Sequence, residues 1–180
     1  ALGLFEDVRM KDPNLKTVEV VHEEVRMENV QDFKIWIDAD ACPKVVKEVV
    51  FKNAFRLNIE VVLVANSYLN IPLSPLIKMI KVDQGADVAD FYIVEHITEK
   101  DLAITADIPL ASHIVEKGAM AINPRGEVYT EENISERLSV RDFMQELRDS
   151  GMDTGGPPPF GPKDKELFTN SLNRILTKMI

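Results

Sequence analysis

The sequence predicts an α/β fold built on a parallel sheet, and three features of its 180 residues carry that prediction. Short apolar runs of strand length alternate with stretches of helical period, the pattern of βαβ units. Acidic residues stand just after several of those runs, where a strand would end. Proline or glycine punctuates most of the joints between them.

Taken in order, Ile35-Trp36-Ile37 is the first strand, and it stops at Asp38. Pro43 opens the next helix at its first turn, where a missing N–H costs nothing. Val46, Val49, Val50 and Asn53 continue that helix at the right spacing to about residue 56. The second strand spans 60–65. Pro72 and Pro75 bracket a loop before a short helix, and 79–82 form the third strand. Helix is expected over 86–96, strand over 102–105, helix over 108–116 and a fifth strand over 120–122. Two helical stretches come next, near 131–137 and 140–150. Residues 151–162 hold four of the ten prolines and four of the eight glycines, so they read as an irregular connector. Leu167, Phe168, Leu172, Ile175, Leu176 and Met179 then fall on one helical stripe, expected to pack on the same domain. The expected organisation is an acidic extension over 1–33, an α/β domain over 34–150, and a connector with an amphipathic helix over 151–180.

Composition narrows the function classes. A hydrophobic fraction of 45% and a charged fraction of 28% are those of a globular chain. No apolar run approaches the ~18–20 residues of a membrane span. No basic-then-apolar leader is present, and the single cysteine, Cys42, excludes an internal disulfide framework. These features predict a reduced, cytoplasmic protein that does not enter membranes. The net charge of −9, with a pI near 4.9, argues against a broad duplex-binding surface. That charge is unevenly placed: residues 1–33 hold four basic and eight acidic side chains. Without them, and without Asp38, Asp40, Asp87, Asp90 and Asp107, the chain is neutral.

Those five aspartates occupy strand ends and helix starts. Asp38 and Asp40 end the first strand, and Asp107 comes just after the fourth. Asp87 and Asp90 open the helix after the third strand, where three-residue spacing puts them on one helix face. In a parallel sheet all carboxyl ends share one edge, and open α/β sheets bind ligands there, where strand order reverses. Carboxylates gathered in that way repel one another unless a cation sits among them. The oxygen-only set suits Mg²⁺ or Mn²⁺, which can lower the pKa of a water and stabilise phosphoryl charge. Phosphate-ester or phosphodiester hydrolysis is the expected reaction class, with Asp38, Asp40 and Asp107 catalytic and Asp38, Asp87, Asp90 and Asp107 around the metal. Asp87, Asp90 and Asp107 also fit plain helix capping. Asp101 precedes the fourth strand and belongs at the opposite edge.

From about residue 34 onward the sequence resembles the YaiI/YqxD family of bacterial proteins. The matching stretches are Asp38-Ala39-Asp40-Ala41-Cys42-Pro43, Val64-Ala65-Asn66, Gly85-Ala86-Asp87-Val88-Ala89-Asp90, Ile104-Thr105-Ala106-Asp107-Ile108-Pro109-Leu110-Ala111, Asn123-Pro124-Arg125-Gly126, and the region from Arg141-Asp142-Phe143-Met144 to Gly155-Gly156-Pro157. Through a more distant similarity to PIN-like nucleases, the resemblance implies a three-layer PIN-like domain. Its five-stranded parallel sheet would run in the order 3-2-1-4-5. It also implies an acidic Mg²⁺ or Mn²⁺ site that cuts RNA, usually single-stranded, with Asp38, Asp87 or Asp90, and Asp107 at the acidic positions. Residues 1–33 lie outside the resemblance.

Arg125 is a candidate phosphate clamp, or else a turn residue paired with a carboxylate. Asn66 and Thr105 are candidate substrate contacts or supports for the acids. Cys42 lacks a nearby histidine to serve as base, and His22, His96 and His113 are isolated. No glycine-rich phosphate loop is present. Two rival readings remain. Ile35-Trp36-Ile37-Asp38-Ala39-Asp40 resembles the first motif of haloacid-dehalogenase-like phosphatases, with Asp38 as nucleophile. However, Cys42 replaces the usual Thr, and Asp87 and Asp90 come before Thr105 rather than after it. The other rival is a PIN-like module that binds RNA or protein without cutting.

Overall fold

A computed structural model describes residues 27–180, and from Lys34 onward they form six strands and five α-helices, alternating except where the second strand runs on to the third, the fifth strand to the sixth and the fourth helix to the fifth. The expected acidic extension lies outside the described residues as far as residue 26. β1 (Lys34–Asp38) leads through a short 3₁₀ turn at Ala39–Ala41 into α1 (Lys44–Leu57) and then β2 (Glu60–Ala65). β3 (Ile77–Lys81), α2 (Val88–His96), β4 (Leu102–Ile104), α3 (Ile108–Glu116) and β5 (Met120–Ile122) continue the alternation. β6 (Val128–Tyr129), α4 (Glu131–Asp149) and α5 (Pro162–Met179) complete the chain.

The strands form one sheet in the order β3-β2-β1-β4-β5-β6. This corrects the expected five-stranded, all-parallel sheet. β6 adds a sixth strand, antiparallel to β5 through the pairs Ala121 with Tyr129 and Ile122 with Val128. The other neighbours pair in parallel. Two further expectations are corrected. No helix stands between Pro75 and β3, and the two stretches expected over 131–150 are one continuous helix. Thr130 and Asn133 close a reciprocal capping box at the start of that helix.

Period-two alternation divides the core between the two faces of the sheet. Ile35, Ile37, Val61, Leu63, Leu102 and Ile104 face one side, where they meet Val46 and Val50 of α1 and Phe168, Leu172, Ile175 and Leu176 of α5. Trp36, Val62, Val64 and Ala103 face the other, against Ile93 of α2, Leu110 and Ile114 of α3 and Ile134 of α4. The helical stripe near the C-terminus therefore packs on this domain. Each of its large buried side chains contributes about 1.5–3 kcal/mol.

A hairpin positions that last helix. Between β5 and β6, Gly126 has φ +97°, and a Cβ there would lie 2.6 Å from the Leu167 carbonyl oxygen. Glycine is thus required twice, by the backbone angle and by the approach of α5. Ser171 Oγ donates to the Gly126 carbonyl at 2.6 Å, fixing the helix to the turn. At the C-terminus of α1, Asn58 adopts the left-handed conformation (φ 61°) and stops the helix, a role asparagine tolerates.

Candidate functional site

Strand order reverses between β1 and β4, so the chain leaves these neighbours in opposite directions and opens a crevice at their carboxyl ends. Ile37 pairs with Ile104, which sets Asp38 and Thr105 side by side at that edge. Thr105 is buried, and its hydroxyl donates to Asp38 Oδ2 at 2.9 Å. Thr105 Oγ1 also accepts the Asp107 amide at 3.0 Å, so one hydroxyl ties the ends of both strands together. Asp107 itself caps α3, its Oδ1 accepting the Leu110 amide at 2.9 Å. Asp40, on the 3₁₀ turn, accepts the Asn66 amide at 2.8 Å through Oδ2. It is therefore the backbone of Asn66, at the end of β2, that meets the acids. α2 supplies the remaining pair. Asp87 is held in the left-handed conformation (φ 66°) as the residue preceding the helix, and Asp90 lies in its first turn.

The carboxylates sense one another. Burial raises the Asp90 carboxyl to about 7, with further contributions from the charges of Asp107, Asp38 and Asp87 and from a hydrogen bond with Asp87. Burial also raises Asp38, whose hydrogen bond from Thr105 works in the opposite direction, while Asp107 and Asp40 push it further up. Residues from three separate segments thus share one electrostatic environment. Among the described residues, no group of three or more His, Cys, Asp or Glu side chains is arranged as it stands to hold a metal ion.

The Asn123-Pro124-Arg125-Gly126 turn has a different role in the fold. Arg125 forms an ion pair with Asp164 at 3.1 Å, donates to the Pro158 carbonyl at 2.6 Å and lies over the Phe160 ring. Both terminal nitrogens are engaged in fastening the connector and the start of α5. Asp101 is at the amino edge, buried, accepting from the Lys34 amide, the Trp36 indole and the Thr98 amide. Burial raises the Cys42 thiol to about 12, with Lys47 lowering it and Asp38 raising it, so it stays protonated and is no nucleophile at neutral pH.

Sequence reasoning passed over Tyr129. This buried phenol on β6 accepts a hydrogen bond from the Asn123 side-chain amide and senses the Asp107 charge among the influences that raise it, burial being the largest. A two-residue strand carries no periodic signal, so nothing in the sequence marked it.

The comparisons with known proteins agree on the family. Residues 36–178 match the family described as "Uncharacterized BCR, YaiI/YqxD family". The chain belongs to the YaiI/YqxD family. It is 58% identical over 147 residues to a UPF0178 protein of Maridesulfovibrio salexigens, covering 82% of this chain and 97% of the relative. It is 53% identical over 150 residues to the UPF0178 protein Shewmr7_1635 of Shewanella sp. (strain MR-7), covering 83% and 99%. A UPF0178 protein of Hydrogenovibrio crunogenus is 56% identical over 144 residues, covering 80% and 95%. No solved structure matches the chain. Every acidic residue of the crevice lies within the part matched to the YaiI/YqxD family. Among the described residues, no helix is long and apolar enough to cross a membrane.

Proposed function

We propose that this edge of the sheet is the active site of a metal-dependent nuclease that hydrolyses phosphodiester bonds of single-stranded RNA with Mg²⁺ or Mn²⁺. The observation that carries the reading is the gathering of Asp38, Asp90 and Asp107 from β1, α2 and the end of β4, close enough that the first and last raise the second. Acids that repel one another in a crevice are what a cation-binding site looks like without its cation. The donors are all oxygens. Mg²⁺ keeps several waters and takes one or two carboxylates directly, so a set that does not close into a cage suits it. Asp38, Asp90 and Asp107 would hold the ion, with Asp87 beside them. Bound there, the metal would polarise the phosphoryl group and make a water more acidic. Asp40, exposed and oriented by the Asn66 amide, stands ready to take the proton of the attacking water. Thr105 positions Asp38 and Asp107 rather than touching substrate.

The test begins with a calorimetric Mn²⁺ titration of the wild type against Asp38→Asn and Asp107→Asn. Binding to the wild type that weakens in both variants supports the site, and no binding at millimolar Mn²⁺ removes it. Labelled single-stranded RNA and a chromogenic phosphomonoester then separate nuclease from phosphatase. A phospho-aspartate trapped at Asp38 would replace this reading with the phosphatase one.

A further inference from the structure

We infer that Tyr68, with Lys81 against one face of its ring, seats an unpaired base of the single strand whose backbone crosses the carboxylates. The inference rests on the nuclease reading of the same edge and adds what grips the substrate there.

The placement comes from two links. Asp40 accepts the Asn66 amide at 2.8 Å, and Tyr68 is two residues further on, at most ~7 Å along the chain. Lys81 pairs with Ala65 at the last position of the β2–β3 register, so its side chain also stands at the carboxyl edge. Its ammonium lies 5.3 Å from the Tyr68 ring centroid. A single exposed aromatic is ordinary on a protein surface. This one is 81% exposed, beside the acids, and has a cation on one face, which leaves the other face open. Ordering by Lys81 reduces the side-chain entropy that a stacked base would otherwise have to offset.

Charge argues for bases over phosphates as the source of affinity. The crevice is acidic, so a polyanion gains little from its backbone here beyond Lys81 and the metal. Stacking is uncharged and escapes that repulsion. A duplex keeps its bases stacked on each other and has nothing to offer the ring. A protein partner would need an apolar or basic surface of its own, and it is the reading left standing if the wild type binds neither single-stranded RNA nor duplex.

The experiment is fluorescence anisotropy of the full chain with a labelled single-stranded RNA of about ten nucleotides, within the footprint of small single-strand binders. The titration is run in EDTA and again in Ca²⁺. Tyr68→Ala should weaken binding about five- to hundredfold, the range of one lost base stack, whereas Tyr68→Phe and Tyr68→Trp should retain it. Lys81→Ala should reduce the salt dependence by about one phosphate contact. The duplex of the same sequence should bind more weakly. The inference is overturned if Tyr68→Ala binds as the wild type does, if the duplex matches the single strand, or if the wild type binds no RNA. Hydrolysis of bis-p-nitrophenyl phosphate by the wild type with Mn²⁺ is measured separately and reports on the nuclease reading alone. Circular dichroism of the variants confirms that these exposed positions leave the fold intact.

Discussion

Thr105 donates its hydroxyl to Asp38 across the boundary between β1 and β4, at 2.9 Å, while accepting the Asp107 amide at 3.0 Å. One buried side chain therefore sets the spacing of two acids that belong to different βαβ units. Thr105→Val keeps the shape and removes the hydroxyl, leaving Asp38 and the Asp107 N–H each without this partner. The expected cost is about 1–3 kcal/mol in urea unfolding. Because the hydrogen bond from Thr105 lowers the Asp38 pKa, its loss should move that carboxyl further up, as followed by carboxyl ¹³C NMR. Thr105→Ser should restore most of both. A variant as stable as the wild type, with Asp38 unmoved, would show that the hydroxyl does not couple the strands.

Asp101 supplies the contrast at the other edge of the sheet. It is 4% exposed and accepts three hydrogen bonds, from the Lys34 amide, the Trp36 indole and the Thr98 amide. Asp101→Ala leaves three donors without a partner and should cost about 3 kcal/mol. Mn²⁺ affinity, measured below the shifted melting temperature, should match the wild type. An equal loss of metal binding would mean that the two edges are not independent.

The turn at Gly126 is expected to fail in a different way. Gly126→Ala must place a methyl within 2.6 Å of the Leu167 carbonyl at φ +97°, which backbone cannot relieve without moving α5. The variant should lose about 2 kcal/mol or more and expose Lys163 and Lys165 to trypsin. Arg125→Ala should also speed cleavage there, since Arg125 ties Asp164 and Pro158 to the same turn. Unchanged proteolysis in both would separate the turn from the docking of the helix.

What the sequence showed and what it hid divide along physical lines. β2, α3 and β5 fall at the residues expected, because an apolar run or a helical period bounded by clear stops identifies each locally. The shared edge of Asp38 and Asp107 came from parallel topology alone, since carboxyl ends cannot separate in such a sheet. β6 was hidden because two residues cannot display alternation. The extra helix expected before β3 reflects Pro72 and Pro75, which mark a turn but do not specify the element after it. The engagement of Arg125 by Asp164 spans 39 residues, and no local pattern encodes it. Tyr68 and Lys81 were similarly invisible as a pair, because they meet only once β2 and β3 are in register.

The coupling of the acids gives a pH signature with a definite sign. Asp90 is raised from 3.8 to about 7 in the folded chain, first by burial and then by the charges of Asp107, Asp38 and Asp87. Between those values the folded state holds a proton that the unfolded state has released. Stability from this group is therefore fully present below about pH 4 and is lost as pH rises through 7. Asp90→Asn removes the titration, so the variant should gain stability over the wild type at pH 8 and lose that advantage at pH 4. The measurement is urea unfolding of both proteins at several pH values in EDTA. Asp107→Asn should lower the Asp90 carboxyl by removing the largest of the charges that raise it. Added Mg²⁺ should act in the same direction, because a cation favours the ionised form of each acid it meets. Parallel stability curves for wild type and Asp90→Asn would mean that the carboxyl ionises normally and that the acids do not share one field.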